Sequence, residues 1–545
     1  MPAFRPHGVA VIGLVMMVAL AHGGAVRNGF LYDDFHLIVE NPVVRTHDWS
    51  AVWTSADAAS ADRAGRNFRP VTMSTYLIDH VVGGDDPRVF HAAQLAWHLV
   101  VVLCVYGLGW TLWRRLGPAL ALALLVALHP AQTEAVHYLS ARSSILASLG
   151  MVVAFWTYLL AGGVGRLRPF AFGVSVAAFA LACLSKESAI VFIVWIAAYE
   201  MLIHRARPGD LVGRLAPYLG VSAAVWAAHH LQVSGVWSHG ASIDGWDAAA
   251  TGATVLARHL WIWVMPLGIE PVSPQPWVSW MTPAVAASVA VCTAWGLAAA
   301  ALRVRAPLAA FGLVSAGAAL MPALWLPFIT NVALFQPHRG YQASMGFALA
   351  TVELTRLWGP QVRRGMERFI TRMRGFQDDR IRWGAGAFLG VVMVLGTAGI
   401  NAVQGKTWRH EVAFWSSAVR DYPHEAAYHH SLGAALLRAG DLRGARDALL
   451  TAERWDPLLP RLHFNLGIVL TRLKLPDEAI AAYGRAIERD PGDVKSWANL
   501  GRLYEGRGDL ERAATAYRAA LALDPGATRV REGLERLTHG PGAGR

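Results

Sequence analysis

The sequence predicts an all-α protein in two parts, a polytopic helical membrane domain followed by a solenoid of paired helices. Of its 545 residues, 54% are hydrophobic and only 16% charged, and the apolar residues are gathered into long runs instead of being spread at the spacing of a soluble core. The 22 Trp and many of the Arg fall toward the ends of those runs, where amphipathic rings and long cations suit the headgroup region. Beyond residue 404 the runs stop and a 34-residue period begins.

Runs long enough to span lie near 8–26, 92–113, 117–129, 142–162, 169–185, 187–204, 213–231, 281–302, 307–326, 341–356 and 384–402, about eleven in all. The first follows a lone Arg5 and has no convincing small-x-small cleavage site before the polar loop, so it reads as an uncleaved span. The segment "GATVLARHLWIWVMPLGI" (252–269) holds Arg258 and His259 at its middle and Pro266 near its end, and is expected to be re-entrant or interfacial. With the N-terminus in the cytoplasm, Arg114 and Arg115, Arg166 and Arg168, Arg205, Arg207 and Arg214, Arg303 and Arg305, and the Arg-rich stretch 356–382 all fall inside. The first polar loop (27–91), "HPAQTEAVHYLSARS", "SKES" (185–188), "FQPHRGY" (335–341) and everything after 403 then share the outer face.

The formal charge of +11 is dispersed among loops, as expected of basic segments facing an anionic leaflet, and forms no stripe for nucleic acid. Cys104, Cys183 and Cys292 each lie within an apolar run, with neither disulfide nor zinc spacing.

In the C-terminal part Gly433, Gly467 and Gly501 recur every 34 residues, as do Ala445, Ala479 and Ala513 and the Asp-Pro pairs starting at 456, 490 and 524. Trp497, Leu500, Gly501, Tyr504, Ala513, Tyr517, Ala520 and Pro525 complete the tetratricopeptide pattern, in which small residues let paired helices approach closely and the proline ends the second helix. The membrane domain is therefore set at 1–403. The repeat domain is set at 404–539, with a half repeat at 406–425 carrying Trp415, Ala418 and Pro423, repeats at 426–459, 460–493 and 494–527, a capping helix at 528–539, and a disordered tail at 540–545.

The polar residues that do not serve a span form one constellation. Asp33 and Asp34 are adjacent in "NGFLYDDFHLIVENP", and like charges that close raise each other's pKa. Such a pair can equally cap a helix or solvate a loop. On the same expected face lie His129, Glu134 and His137, Arg142, Lys186 and Glu187, and His338 and Arg339 with Tyr341. Carboxylates and cations converging at one interface suit an anionic headgroup and the movement of a proton. The spacing His-x4-Glu-x2-His (129–137) matches no recognised metal site, so no metal is expected.

The segments "NGFLYDDFHLIVENPVV", "FRPVTMSTYLID", "FHAAQLAWHLV", "ALHPAQTEAVHYLSARSSILAS", "LSKES", "FQPHRGYQASMGFA" and "KTWRHEVAFWSSAVRDYP", in this order ahead of the repeats, resemble the transmembrane and tetratricopeptide repeat-containing O-mannosyltransferases and their bacterial relatives. The resemblance implies a GT-C glycosyltransferase of multi-pass type, in a bacterial inner membrane with its active site and repeats on the periplasmic side. It implies a polyprenyl-phosphate-linked sugar as donor substrate, mannose by analogy with the animal members, and no required cofactor. One of the two aspartates is then the base that deprotonates an acceptor hydroxyl, with Asp33 favoured because related families place the base first. Lys186, Arg339 and Arg142 are the candidates for the carrier phosphate. His129, Glu134, Glu187, His338 and Tyr341 would line the site. A protein acceptor or partner would sit on the repeats. "FQPHRGY" departs from the family pattern in having Pro-His before the arginine, and "SARSS" lacks an acidic residue after Arg142. The alternative is a non-catalytic anchored scaffold that assembles envelope proteins through the repeats. A transporter ranks third, since the polar groups gather at one interface and not at the bilayer midplane.

Overall fold

The computed structural model describes residues 4–60, 67–162, 168–233, 245–266, 269, 273–274, 281–329, 334–335, 337–372 and 395–539. The chain divides into two compact units, Met1–His410 and Glu411–Arg545. The first unit runs α1 (Phe4–His22), α2 (Pro42–Thr46), α3 (Trp49–Thr54), α4 (Pro70–Gly83), α5 (Pro87–Trp113), α6 (Leu116–Leu128), α7 (Thr133–His137) and α8 (Arg142–Ala161). It continues through α9 (Pro169–Ser185), α10 (Phe192–Leu202), α11 (Pro208–Val233), α12 (Gly245–Val264), α13 (Pro283–Arg305), α14 (Pro307–Ile329) and α15 (Ser344–Arg372). The only paired extended residues among those described form a two-residue antiparallel ladder, Ser273 with Phe335 and Pro274 with Leu334, so the protein is all-α.

Local chemistry sets the helix ends. Asn41, Asp48 and Asp86 accept from backbone N–H groups in the first turns of α2, α3 and α5. Pro42, Pro70 and Pro87 occupy first-turn positions, where no donor is lost. Gly162, at φ 104°, ends α8 in the left-handed region.

Five described helices are long and apolar enough to cross a membrane: Pro6–Arg27, Pro87–Trp113, Leu139–Ala161, Gly209–Gln232 and Pro283–Arg305. A sixth joins them if Leu116–Leu128 and Pro130–His137, bent by 51°, form one broken span. Five of the expected runs coincide with these helices, while 384–402 falls largely outside the described residues. At about 1.5 Å per residue roughly 20 residues are needed, yet α9 has 17 residues and α10 only 11. Turns at His129 and at Lys186–Val191 end α6 and α9, and the second delays the start of α10 to Phe192. The segment expected to be re-entrant forms the end of α12, which is not among the spanning helices and packs through Leu260 against Ala316, Ala319 and Leu320 of α14. Residues 163–167, 267–268, 373–394 and 540–545, on which parts of the expected loops, the last span and the tail fall, lie outside the described residues.

Close helix crossings depend on missing side chains. A Cβ on Gly346 would lie 2.5 Å from the Gly312 carbonyl oxygen, and one on Gly312 would lie 2.6 Å from that of Gly346. Both obstacles are backbone, so α14 and α15 would have to separate. Gly346→Ala is expected to destabilise the first unit by about 1–3 kcal/mol, read as a lower midpoint in thermal unfolding of the detergent-solubilised protein; an unchanged midpoint would show that the crossing is loose.

The second unit is a series of antiparallel helix pairs from Glu411–Asp421 to Thr528–His539. Ala445, Ala479 and Ala513 are fully buried. Gly467 and Gly501 face the rings of Tyr483 and Tyr517, which a Cβ would meet at 2.7 and 2.6 Å, as the repeat pattern requires. The boundary falls after His410, later than the expected one after 403. Lys406–Trp408 form a turn that belongs to the first unit: the Gly29 N–H donates to the Arg409 carbonyl at 2.8 Å, and the Trp408 ring lies 5.6 Å from that of Tyr138.

Candidate functional site

The polar loop after α1 carries the aspartates in an unusual backbone. Tyr32 has φ +45°, a region that aromatic residues rarely adopt, and Phe35–Val39 form a single π-helical turn. Strain of this kind is retained where surrounding contacts fix it, and here they fix the two acids differently. Asp34 is completely buried. It accepts from the Leu31 N–H at 3.0 Å, the Ser140 N–H at 2.9 Å and the Ser140 hydroxyl at 2.6 Å. Asp33 remains partly accessible and accepts from the Tyr138 hydroxyl at 2.9 Å. Burial pushes the Asp34 carboxyl up to about 7, with a further push from the Asp33 charge, while its three donors favour the carboxylate. Burial also raises Asp33, opposed by the Tyr138 hydrogen bond and the His36 charge.

A second set of side chains gathers around the turns that end α6 and α9. Lys186 follows the last residue of α9 in extended conformation, and its Nζ donates to the Ser144 hydroxyl on α8 at 2.8 Å. Arg69, just before Pro70 at the start of α4, donates to both oxygens of Glu187, from Nε at 3.0 Å and Nη2 at 2.6 Å. Glu134 on α7 accepts from the His338 N–H at 2.7 Å and stands 2.8 Å from His338 Nδ1. The turn Pro337–Gly340 that presents His338 also presents Arg339.

These groups feel one another. Burial, then the charges of Arg69 and Arg339, depress the Lys186 ammonium to about 7 against the pull of Glu187 and Glu134. Burial lowers Arg339 to about 10, offset by Glu134 and Glu187. At Glu187 burial opposes ionisation most, yet the paired Arg69 prevails and holds its carboxyl at about 2. Half of the Glu187 side chain is nevertheless solvent-accessible. Tyr138 joins the two sets, since its hydroxyl reaches Asp33 and its ring lies 6.4 Å from that of His338.

Three residues expected at the site stand elsewhere. Arg142 is 0% exposed and fully engaged. Its guanidinium donates to the Gln94 side chain at 2.9 Å, to the Phe90 carbonyl at 2.8 Å, to Thr75 and to Asp79, and it lies over the Tyr76 ring. Four of its five N–H donors are spent on these partners, and the group is closed off from solvent. What it does is hold Gln94, whose amide bonds the carbonyls of Ala135 and Tyr138 and so fixes the turn that carries Tyr138. Tyr341 is buried, with its hydroxyl 2.7 Å from His98 Nδ1. His129 is buried and stacked on Trp263, accepting from the Ala131 N–H and bonded to the Trp263 carbonyl. In each case an interhelical contact claims the polar atom.

The residue-level reading missed Arg69, Tyr138 and Ser140. Arg69 and Tyr138 both lie inside quoted motifs, and an arginine just before a helix-starting proline in the polar loop was the available signal for the first. Among the described residues no three His, Cys, Asp or Glu side chains are arranged to hold a metal.

Residues 430–494 and 464–528 match the family model of the tetratricopeptide repeat. The protein O-mannosyl-transferase TMTC1 of Homo sapiens is 31% identical over 209 residues, 34% of this chain and 23% of its own length. Over that stretch this chain is similar to the TMTC O-mannosyl-transferases. TMTC3 of Mus musculus is 25% identical over 199 residues, 35% of this chain and 21% of that TMTC protein. The chain thus matches less than a quarter of the length of these TMTC relatives. Among solved structures, the crystal structure of MamA is 20% identical with a TM-score of 0.23, covering 24% of this chain and 75% of that one.

Proposed function

We propose that the protein is an inverting membrane glycosyltransferase that moves a sugar from a polyprenyl-phosphate carrier to a hydroxyl acceptor on the outer, periplasmic face of a bacterial inner membrane. The carrying observation is the link, through Tyr138, of one partly accessible carboxylate with a cluster in which Arg69, Lys186 and Arg339 act on Glu134 and Glu187. With Lys186 protonated, the three cations outnumber the two carboxylates by one, which suits a phosphodiester monoanion.

In this reading Asp33 takes the proton from the acceptor hydroxyl as its oxygen attacks the anomeric carbon. The bond from that carbon to the phosphate oxygen breaks, and polyprenyl phosphate leaves with the electron pair. Lys186 and Arg339 stabilise the charge growing on the leaving phosphate. Arg69 is held in place by Glu187. Asp34 anchors the loop. The relatives are named protein O-mannosyl-transferases, which favours mannose as the sugar and protein Ser or Thr hydroxyls as acceptors, with the repeats presenting the acceptor protein.

The test is transfer of radiolabelled hexose from polyprenyl-phosphate hexose to Ser- and Thr-containing peptides by the purified protein in vesicles. Product of inverted anomeric configuration is expected; no transfer from any polyprenyl-phosphate sugar would leave the anchored scaffold. A pH effect follows from Lys186. Its ammonium is charged below about pH 7 and neutral above it, so the KM for the donor is expected to rise as pH increases through 7. In Lys186→Arg the cation persists to higher pH and that rise should move upward with it; a profile identical to wild type would remove Lys186 from the phosphate site.

A further inference from the structure

The segment "KTWR" (406–409), placed by its sequence at the start of the repeat domain, is built into the wall that supports the catalytic loop. The Gly29 N–H, four residues before Asp33, donates to the Arg409 carbonyl at 2.8 Å. A Cβ on Gly405 would meet the His137 ring at 2.5 Å, so the chain passes directly over the turn that carries Tyr138. Trp408, only 4% exposed, packs its ring 5.6 Å from that of Tyr138 at 31°. On another side the Tyr138 ring meets His338, and its carbonyl is held by Gln94. A ring fixed at these points has little freedom to turn, and its hydroxyl is directed at Asp33 Oδ2 at 2.9 Å.

We infer that Tyr138 is a positioning residue for the Asp33 carboxylate, and that Trp408 braces it from the segment leading into the repeats. Tyr138 donates one hydrogen bond to one carboxylate oxygen and leaves the other to face an acceptor hydroxyl. The groups of its own loop that act on Asp33, namely Asp34, His36 and Tyr32, move with it, whereas Tyr138 holds it from another element. The inference rests on the reading of Asp33 as the base, and it gives the catalytic unit a component that ends at Arg409.

The experiment compares full-length Tyr138→Phe, Trp408→Ala, Trp408→Phe and Asp33→Asn in the vesicle assay, with kcat, donor KM and the pH–rate profile as readouts. Tyr138→Phe is expected to lower kcat on the order of tenfold to a hundredfold with donor KM unchanged. Loss of the donated hydrogen bond disfavours the carboxylate, so the acid limb of the profile should also move to higher pH. Trp408→Ala should move both readouts in the same direction by less, and Trp408→Phe should restore most of the loss by returning a ring to that wall. A general packing defect would lower the amount of active protein without moving the acid limb. Wild-type kcat and acid limb in Tyr138→Phe, alongside an inactive Asp33→Asn, would overturn the positioning role alone. Activity retained in Asp33→Asn would instead remove the base on which it depends.

Discussion

Asp33→Asn is expected to lower kcat for sugar transfer by about a thousandfold, within the range assigned to general base catalysis, while leaving thermal stability near that of wild type. Asp33 accepts one hydrogen bond and is partly accessible, so an amide fits the same space with small loss. Asp34→Asn should behave in the opposite way. Its oxygens accept three donors in full burial, and an amide N–H₂ turned toward any of them leaves buried donors facing each other. The expected cost is about 1–3 kcal/mol of stability, seen as a lower unfolding midpoint, with activity falling in proportion to misfolding. The pair thus separates by paired measurements of kcat and melting. An inactive but fully stable Asp34→Asn beside an active Asp33→Asn would reverse the assignment.

The second large effect concerns the cations. Arg339→Gln and Lys186→Met together are expected to raise the donor KM by roughly a hundredfold or more, since charge-assisted contacts to phosphate are each worth about 1.5–3 kcal/mol. Arg142→Met, in contrast, should leave KM for the surviving folded protein little changed and lower stability by about 3–5 kcal/mol, because it strands Asp79 as a buried unpaired charge. Donor titration of each purified variant distinguishes the cases; a KM effect in Arg142→Met at full stability would return that arginine to the phosphate site.

This contrast shows why part of the site was hidden in the sequence. Arg142, Lys186 and Arg339 look alike there, as basic residues at the ends of apolar runs. What separates them is the company each keeps at long range: Gln94, Asp79 and the Phe90 carbonyl enclose the first, whereas Glu134, Glu187 and Arg69 only surround the other two. Tyr341 and His129 were misplaced for the same reason, since each spends its polar atoms on another helix.

Local patterns were enough for what depends on neighbours along the chain. The 34-residue period, with small residues at fixed positions, states which helices pair, and the family model matches the same residues. The apolar runs mark the helices, and the tandem acids after α1 mark the loop worth testing. Run length does not fix helix length, because a turn at Glu187–Val191 takes up the start of the run 187–204 and leaves α10 with 11 residues.

Sequence by itself determined the all-α class, the repeat register and the residue types available for chemistry, since those follow from periodicity and composition within short windows. Only the tertiary structure decided that Asp34 is an anchor and Asp33 is open, that Arg69 joins the cations, and that Trp408 belongs beside Tyr138. The physical reason is that hydrogen bonds and desolvation act over a few ångströms in space between residues a hundred or more positions apart, and no spacing along the chain records that distance.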